Sequence, residues 1–303
     1  MPRAIRYHRL PTEQQNPRSH ALDRLTIPRL LRLMHAEDRK AVRAVERQLP
    51  QIARAVRLIT QALHCGGRLL FVGAGTSGRL GVLEAAECPP TFHIDPAMVQ
   101  AVIAGGRSAV FRSKEGAEDD RRGARAAVRR RVRRGDVVVG IAASGATPFV
   151  EEALYRAARL KARTILVSCH PRAAAHAAIR IALDVGPEVL TGSTRLKAGT
   201  ATKLVLNMLT LSAMVQLGKT YGNLMVDVRP TSRKLRARAL GIVQTLTRCS
   251  AAEAAQLLRA ARGRVKLAVL MARQRLTYPR ALRRLARAHG SLRLALARHR
   301  PLR

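Results

Sequence analysis

Two pairs of carboxylates stand out in a chain with few acids. Glu84 and Glu87 lie three residues apart beyond a glycine-rich stretch, and Glu115 and Glu118 lie three apart in a cluster with Asp119 and Asp120. Paired carboxylates can divide acid and base work when their surroundings separate their pKa values, so that one is protonated while the other is ionised. Cys88-Pro89-Pro90 follows Glu87 and is expected to end its helix, leaving Glu87 at a rigid break. Glu115, Asp119 and Asp120 also fit the acidic first turn of a helix, which the macrodipole favours. His170 reads as a loop residue.

Two loops are suited to phosphate. Residues 73–81 read Gly-Ala-Gly-Thr-Ser-Gly-Arg-Leu-Gly, in which Gly75 and Gly78 let backbone approach a ligand while Thr76 and Ser77 supply hydroxyls. A Walker loop would need Gly-Lys-Ser/Thr at its end, and a dinucleotide fingerprint would need an acid after the second strand; neither is present. Residues 142–148, Ala-Ala-Ser-Gly-Ala-Thr-Pro, form a second such loop with Ser144, Gly145 and Thr147, and Pro148 suits the first turn of a helix. Two loops of this kind on neighbouring strands would converge on one crevice able to hold a phosphorylated sugar.

The elements that must position these loops follow from the apolar pattern. Helical spacing runs from Thr26 to His64. Short apolar runs at 68–73, 99–104, 136–143, 164–168 and, more weakly, 179–185 read as buried strands, with helical stretches separating them. Strands alternating with helices predict an α/β fold with a parallel sheet covered on both faces, whose ligands bind at the strands' carboxyl ends. The stretch from Leu204 to Leu217 is expected to be a buried helix, too short and too polar to cross a bilayer. Beyond Gly241 short helices are expected, with Ser250 and Glu253 spaced as a capping box.

Composition narrows the class. The chain has 303 residues, 47% of them apolar, enough for a sizeable core. Its 56 Lys and Arg against 19 Asp and Glu give a net charge of +37, which raises nucleic acid or another polyanion as a partner. No acid follows Glu253, and positions 279–303 hold eight arginines. A second arginine run at 121–134 argues for compositional drift over a docking surface, and four Tyr, four Phe and no Trp leave little for base stacking, so nucleic acid is expected to bind nonspecifically if at all. Cys65, Cys88, Cys169 and Cys249 have no metal-ligand spacing, and no apolar run follows the basic N-terminus, so a cytoplasmic protein with reduced thiols, no metal and no cofactor is expected.

Taken together, these residues resemble the SIS-domain sugar-phosphate proteins, and within them the N-acetylmuramic acid 6-phosphate etherases. The similarity runs from Thr12-Glu-Gln-Gln-Asn-Pro17 to the tail and is carried by residues 73–81, 87–91, 115–119, 140–145 and above all 186–203, Gly-Pro-Glu-Val-Leu-Thr-Gly-Ser-Thr-Arg-Leu-Lys-Ala-Gly-Thr-Ala-Thr-Lys. The resemblance implies a three-layer SIS sandwich over 51–235 after an N-terminal extension over 1–50, and a small all-α, ubiquitin-associated-like domain over 241–303. It also implies a homodimer that cleaves the D-lactyl ether of a sugar phosphate by elimination and then hydration. Glu87 would be the acid and Glu118 the base, with Ser193, Thr194 and Lys197 joining the two loops around the substrate. Where the family usually has Asp-Ala-Ser-Glu and Ser-Gly-Arg-Thr-Pro, this chain has Glu84-Ala-Ala-Glu87 and Ser144-Gly-Ala-Thr-Pro148. A non-catalytic sugar-phosphate-binding regulator of a kinase, a polyanion-binding protein on the same scaffold and an aldose-ketose isomerase are the competing readings.

Overall fold

The computed structural model describes residues 8, 10–173, 175–228 and 230–297. They fall into two compact units, Met1–Ala86 with Pro96–Thr210, and Glu87–Asp95 with Leu211–Arg303.

The first unit opens with α1 (Ile27–Glu46) and α2 (Leu49–His64). The continuous helical spacing is broken between them because Pro50, in the first turn of α2, starts a helix better than it continues one. Then come β1 (Leu69–Gly73), α3 (Gly75–Phe92), β2 (Val99–Ile103), α4 (Ser108–Phe111), α5 (Arg121–Arg131), β3 (Val137–Ile141), α6 (Pro148–Arg159), β4 (Arg163–Ser168), β5 (Ile179–Ala182) and α7 (Lys197–Gln216). The sheet order is β2-β1-β3-β4-β5 and every pairing is parallel. Every residue of β1 and β3 is buried, as a sheet covered on both faces requires. The chain steps from β1 outward to β2 and returns to β3 on the other side of β1, the arrangement that opens a crevice at the carboxyl ends of β1 and β3. Gly73 is in register with both Ile103 and Ile141, so the loops after β1, β2 and β3 leave the sheet at one level.

One expectation is corrected. Pro89 and Pro90 do not end the helix; α3 runs through them to Phe92. Proline's fixed φ is itself helical, so the two rings remove donors to the preceding turn without forcing the chain out of helical geometry. The turn comes at His93, whose φ is 50° and whose N–H donates to the Pro89 carbonyl at 2.9 Å. α7 is long and apolar enough to cross a membrane by length and composition, but Ala198, Ala201, Val205, Leu206 and Leu209 are buried, the pattern of a core helix.

The second unit holds α8 (Arg233–Thr247), α9 (Ala251–Ala260), α10 (Val265–Gln274), α11 (Tyr278–Arg287) and α12 (Leu292–Leu296) around their own core of Ile242, Val243, Leu267, Leu270, Leu285 and Leu292. The capping box at Ser250 and Glu253 forms as expected. Lys266, nearly buried, donates to Asp227 Oδ2 (2.5 Å) and to the Gly218 and Gly290 carbonyls. This unit is larger than residues 241–303, since it also takes in 211–240 and the segment carrying Glu87. Along α11, Arg280, Arg283 and Arg287 are exposed while Ala281 and Leu285 are buried, a solvated helix face. Positions 298–303 of the basic tail lie outside the described residues.

Candidate active site

The β1–α3 turn is built by steric necessity. A Cβ on Gly78 would lie 2.6 Å from Ile103 Cγ1 and 2.8 Å from the Gly73 oxygen, so this position carries no side chain because the helix must start hard against the strand. Gly78 is accordingly buried, while Gly75 is exposed and Thr76 and Ser77 are half-buried. The loop after β3 makes a similar demand: Gly145 has a φ of +70° and its Cβ would meet Ala173 Cβ at 2.5 Å and His170 Cβ at 3.3 Å. His170 thus packs against this loop, and Ser144 Oγ accepts from the Ala146 N–H. Thr147 precedes α6 without a side-chain cap; Pro148 has no N–H and the Val150 and Glu151 N–H groups donate to the Thr147 carbonyl, which leaves the Phe149 N–H for an anion.

A cavity of about 140 Å³ opens beside the first loop, lined by Gly75, Arg79, Ser113, Lys114, Glu115 and Glu118 among others. Glu118 sits in a short turn, Ala117–Asp119, that follows Gly116 in a left-handed conformation. Desolvation, reinforced by the negative charges of Asp119, Glu115 and Glu13, holds its carboxyl above the ordinary range. Asp120 has the capping role anticipated for this cluster, accepting from the Gly123 N–H at 2.8 Å. Glu84 and Glu87 part company. Glu84 is buried in the first unit and accepts from Thr210 Oγ1 at 2.6 Å, and Asn207, with its amide turned to satisfy both ends, donates to its other oxygen at 2.5 Å. Glu87 is exposed and belongs to the second unit. Cys169, which follows β4, is sealed off and its thiol is pushed up to about 12, mainly by burial, so it is no nucleophile.

The 186–203 stretch divides. Ser193 and Thr194 are half-buried in the turn before α7, and a Cβ on Gly199 would lie 3.8 Å from Thr76 Cγ2, which brings the start of α7 to the first loop. Lys197 is placed elsewhere than with a phosphate. It is fully buried, and its Nζ donates to Glu37 Oε2 at 2.6 Å. Glu37 also accepts from Asn16 (3.0 Å), Arg18 (3.0 Å) and Lys40 (2.8 Å). Burial alone would raise the Glu37 pKa, but hydrogen bonds from Lys197, Lys40 and Asn16 outweigh it and hold the carboxyl at about 2. Glu188 accepts from the Lys197 and Ala198 N–H groups and so caps α7. Asn16 bridges to the Pro187 carbonyl at 3.1 Å. These polar side chains clamp the start of α7 to α1 and the N-terminal segment.

Arg79, Lys114 and Glu13 were not singled out from sequence. Arg79 lies inside the glycine motif and Lys114 beside Glu115, which was signal enough for both. Glu13 lies far from Glu118 along the chain, and no spacing rule connects them. Among the described residues no cluster of His, Cys, Asp and Glu could hold a metal ion.

Known proteins resemble this chain in sequence and in fold. Residues 51–158 match the model of the glucokinase regulatory protein N-terminal SIS domain. A phosphoheptose isomerase structure from Francisella tularensis superposes with a TM-score of 0.50 at 15% identity, covering 63% of this chain and all of that one, a likeness of fold. An N-acetylmuramic acid 6-phosphate etherase of Gloeobacter violaceus is 56% identical over 86% of this chain and 87% of its own length. The corresponding protein of Cutibacterium acnes is 50% identical over 94% of this chain and 95% of its own. With half its residues shared over almost its whole length, the chain belongs to the N-acetylmuramic acid 6-phosphate etherase family.

Proposed function

We propose that this protein cleaves the D-lactyl ether of N-acetylmuramic acid 6-phosphate, giving N-acetylglucosamine 6-phosphate and D-lactate. In the open-chain sugar the C2 proton is α to the C1 aldehyde and therefore acidic. Glu118 takes that proton, the electron pair forms the C2–C3 double bond, and the C3–O ether bond breaks. Glu87 gives its proton to the departing oxygen, and lactate leaves. Water then adds at C3 of the unsaturated aldehyde and a proton returns to C2. The observation that carries this reading is Glu118 itself, a carboxyl that opens into the cavity beside the first loop. Its pKa, held above the ordinary range, makes it a stronger base than a free carboxylate.

The 6-phosphate is assigned to Gly75, Thr76, Ser77, Ser144, Gly145 and Thr147, with Ser193 and Thr194 closing the side next to Thr76. Gly78 contributes by letting the turn close, and Lys197 by holding α7 in place. Glu87 is taken as the acid instead of Glu84 because Glu84 is buried in hydrogen bonds with the scaffold, while Glu87 is exposed. The etherase relatives favour turnover over the regulator and polyanion readings. We further infer a cytoplasmic protein, supported by four cysteines that form no disulfide among the described residues, and a homodimer, supported by Ile27 (73% exposed) and Leu31 (59% exposed) one turn apart on α1.

Incubation with the substrate in heavy-oxygen water tests the reaction. D-lactate should appear without the label, and the sugar product should carry one heavy oxygen at C3, located by mass-spectrometric fragmentation. Isomerised sugar without lactate would replace the etherase reading with an isomerase.

A further inference from the structure

The substrate has two anionic ends, and none of the residues assigned to the phosphate is a cation. We propose that Arg79 and Lys114 form a subsite for the second anion, the carboxylate of the lactyl group, beside Glu118. This rests on the etherase reading and adds to it the residues that recognise the leaving group.

Both cations line the cavity that contains Glu118. Each is fixed by one backbone carbonyl that uses only part of its donor capacity. Arg79 Nε donates to the Val110 oxygen at 2.9 Å, and among the described residues no hydrogen bond or ion pair engages its two Nη atoms. Lys114 Nζ donates to the Gly105 oxygen at 3.0 Å, keeping two further N–H donors. The Lys114 stem lies so close to Gly105 that a Cβ there would meet its Cδ at 2.9 Å, so the lysine is held along this wall. Neither forms a salt bridge with Glu115 or Glu118, although all four residues face one cavity. A guanidinium tethered at Nε and free at both Nη atoms presents a fork that matches a carboxylate.

The chemistry of the substrate supplies the match. The ether oxygen is on C3, next to the C2 whose proton Glu118 removes, and the carboxylate is one carbon beyond that oxygen. A group that holds the carboxylate is therefore bound close to the base, on the wall of the small cavity that Arg79, Lys114 and Glu118 line. The sugar product has no carboxylate and makes no use of this pair, so the subsite separates substrate from product.

Kinetics and calorimetry on the full-length protein test it. Arg79→Gln should lower kcat/KM for the substrate about 10- to 100-fold, the range for losing charge-assisted hydrogen bonds. Its affinity for N-acetylglucosamine 6-phosphate, which lacks the lactyl group, should stay within about twofold, and Arg79→Lys should recover part of the loss. Lys114→Gln, at an exposed position, should show the same selective loss to a smaller degree and does not depend on the Arg79 tether. Inhibition by added D-lactate should weaken in both variants. Equal loss of binding for the lactyl-free sugar would assign Arg79 to the phosphate or the fold, and unchanged kcat/KM in both variants would empty the subsite. Failure of the etherase reading would appear instead in the wild-type protein, as substrate that yields no lactate.

Discussion

Residues 73–81 and 186–203 look alike in sequence, each rich in glycine and hydroxyls and each leading into a helix, yet the fold uses them in opposite ways. The first leaves β1 with Gly75 exposed, its hydroxyls half-buried and a charged cavity alongside. The second turns its strongest polar groups inward: Glu188 caps α7, and Lys197 is fully buried against Glu37. Polar density alone does not separate binding from bracing. The partner decides, and here it is an acid from α1, distant in sequence and nearly free of solvent. A buried cation whose charge is matched by a short ion pair is closed off from a ligand, whereas a tethered cation on a cavity wall is open to one.

The contrast can be broken from either side. Glu118→Gln in the open region should cost about 10²- to 10⁴-fold in lactate release, the usual contribution of a general base, while thermal unfolding stays at the wild-type temperature. Lys197→Met in the buried region should do the reverse and destabilise the protein by roughly 1–3 kcal/mol, because Glu37 loses its buried partner and keeps only Arg18, Lys40 and Asn16. Denaturant titration reads that loss. A stable Lys197→Met protein with weakened affinity for the sugar phosphate would return Lys197 to the binding site.

Acid sharpens the same contrast. Glu37 is held at about 2 in the folded protein against an ordinary value of 4.5, so folding favours its ionised form. That contribution is complete above pH 4.5 and is lost as pH falls from 4.5 towards about 2. Glu37→Gln should lower stability at neutral pH and flatten the slope of stability against pH inside this window. An unchanged slope would show that other carboxylates carry the acid sensitivity.

The sheet was legible because its strands are apolar runs ending in glycine or a small residue, a local signal that needs no partner to be read. The first loop was legible for the same reason, and so was the capping box at Ser250. What escaped were effects with a distant cause. Lys197 looked like a phosphate ligand because nothing in its neighbourhood of sequence announces Glu37. Glu87 was already set apart from Glu84 in the sequence, but nothing near Glu84 announces that Thr210 and Asn207 take it up. The prolines at 89 and 90 read as a break, yet their fixed φ is compatible with helical geometry and α3 continues through them to Phe92.

Glu13 joins the two regions, and its effect is the smallest. The clamp fixes the N-terminal segment through Asn16, and the Gly192 N–H donates to the Thr12 carbonyl at 3.1 Å, which sets Glu13 Oε2 against Gly192. From there its charge raises Glu118, together with Asp119 and Glu115, in a cavity that Arg79 and Lys114 also face. Removing one negative neighbour makes Glu118 easier to ionise, so it stays a competent base to lower pH. Glu13→Gln should therefore move the acid limb of the kcat/KM profile down by a fraction of a pH unit, with little change in the plateau. Glu115→Gln should shift it in the same direction. A limb that stays in place in Glu13→Gln would confine the N-terminal segment to bracing, and a limb that moves shows the buried clamp setting the strength of the base it never touches.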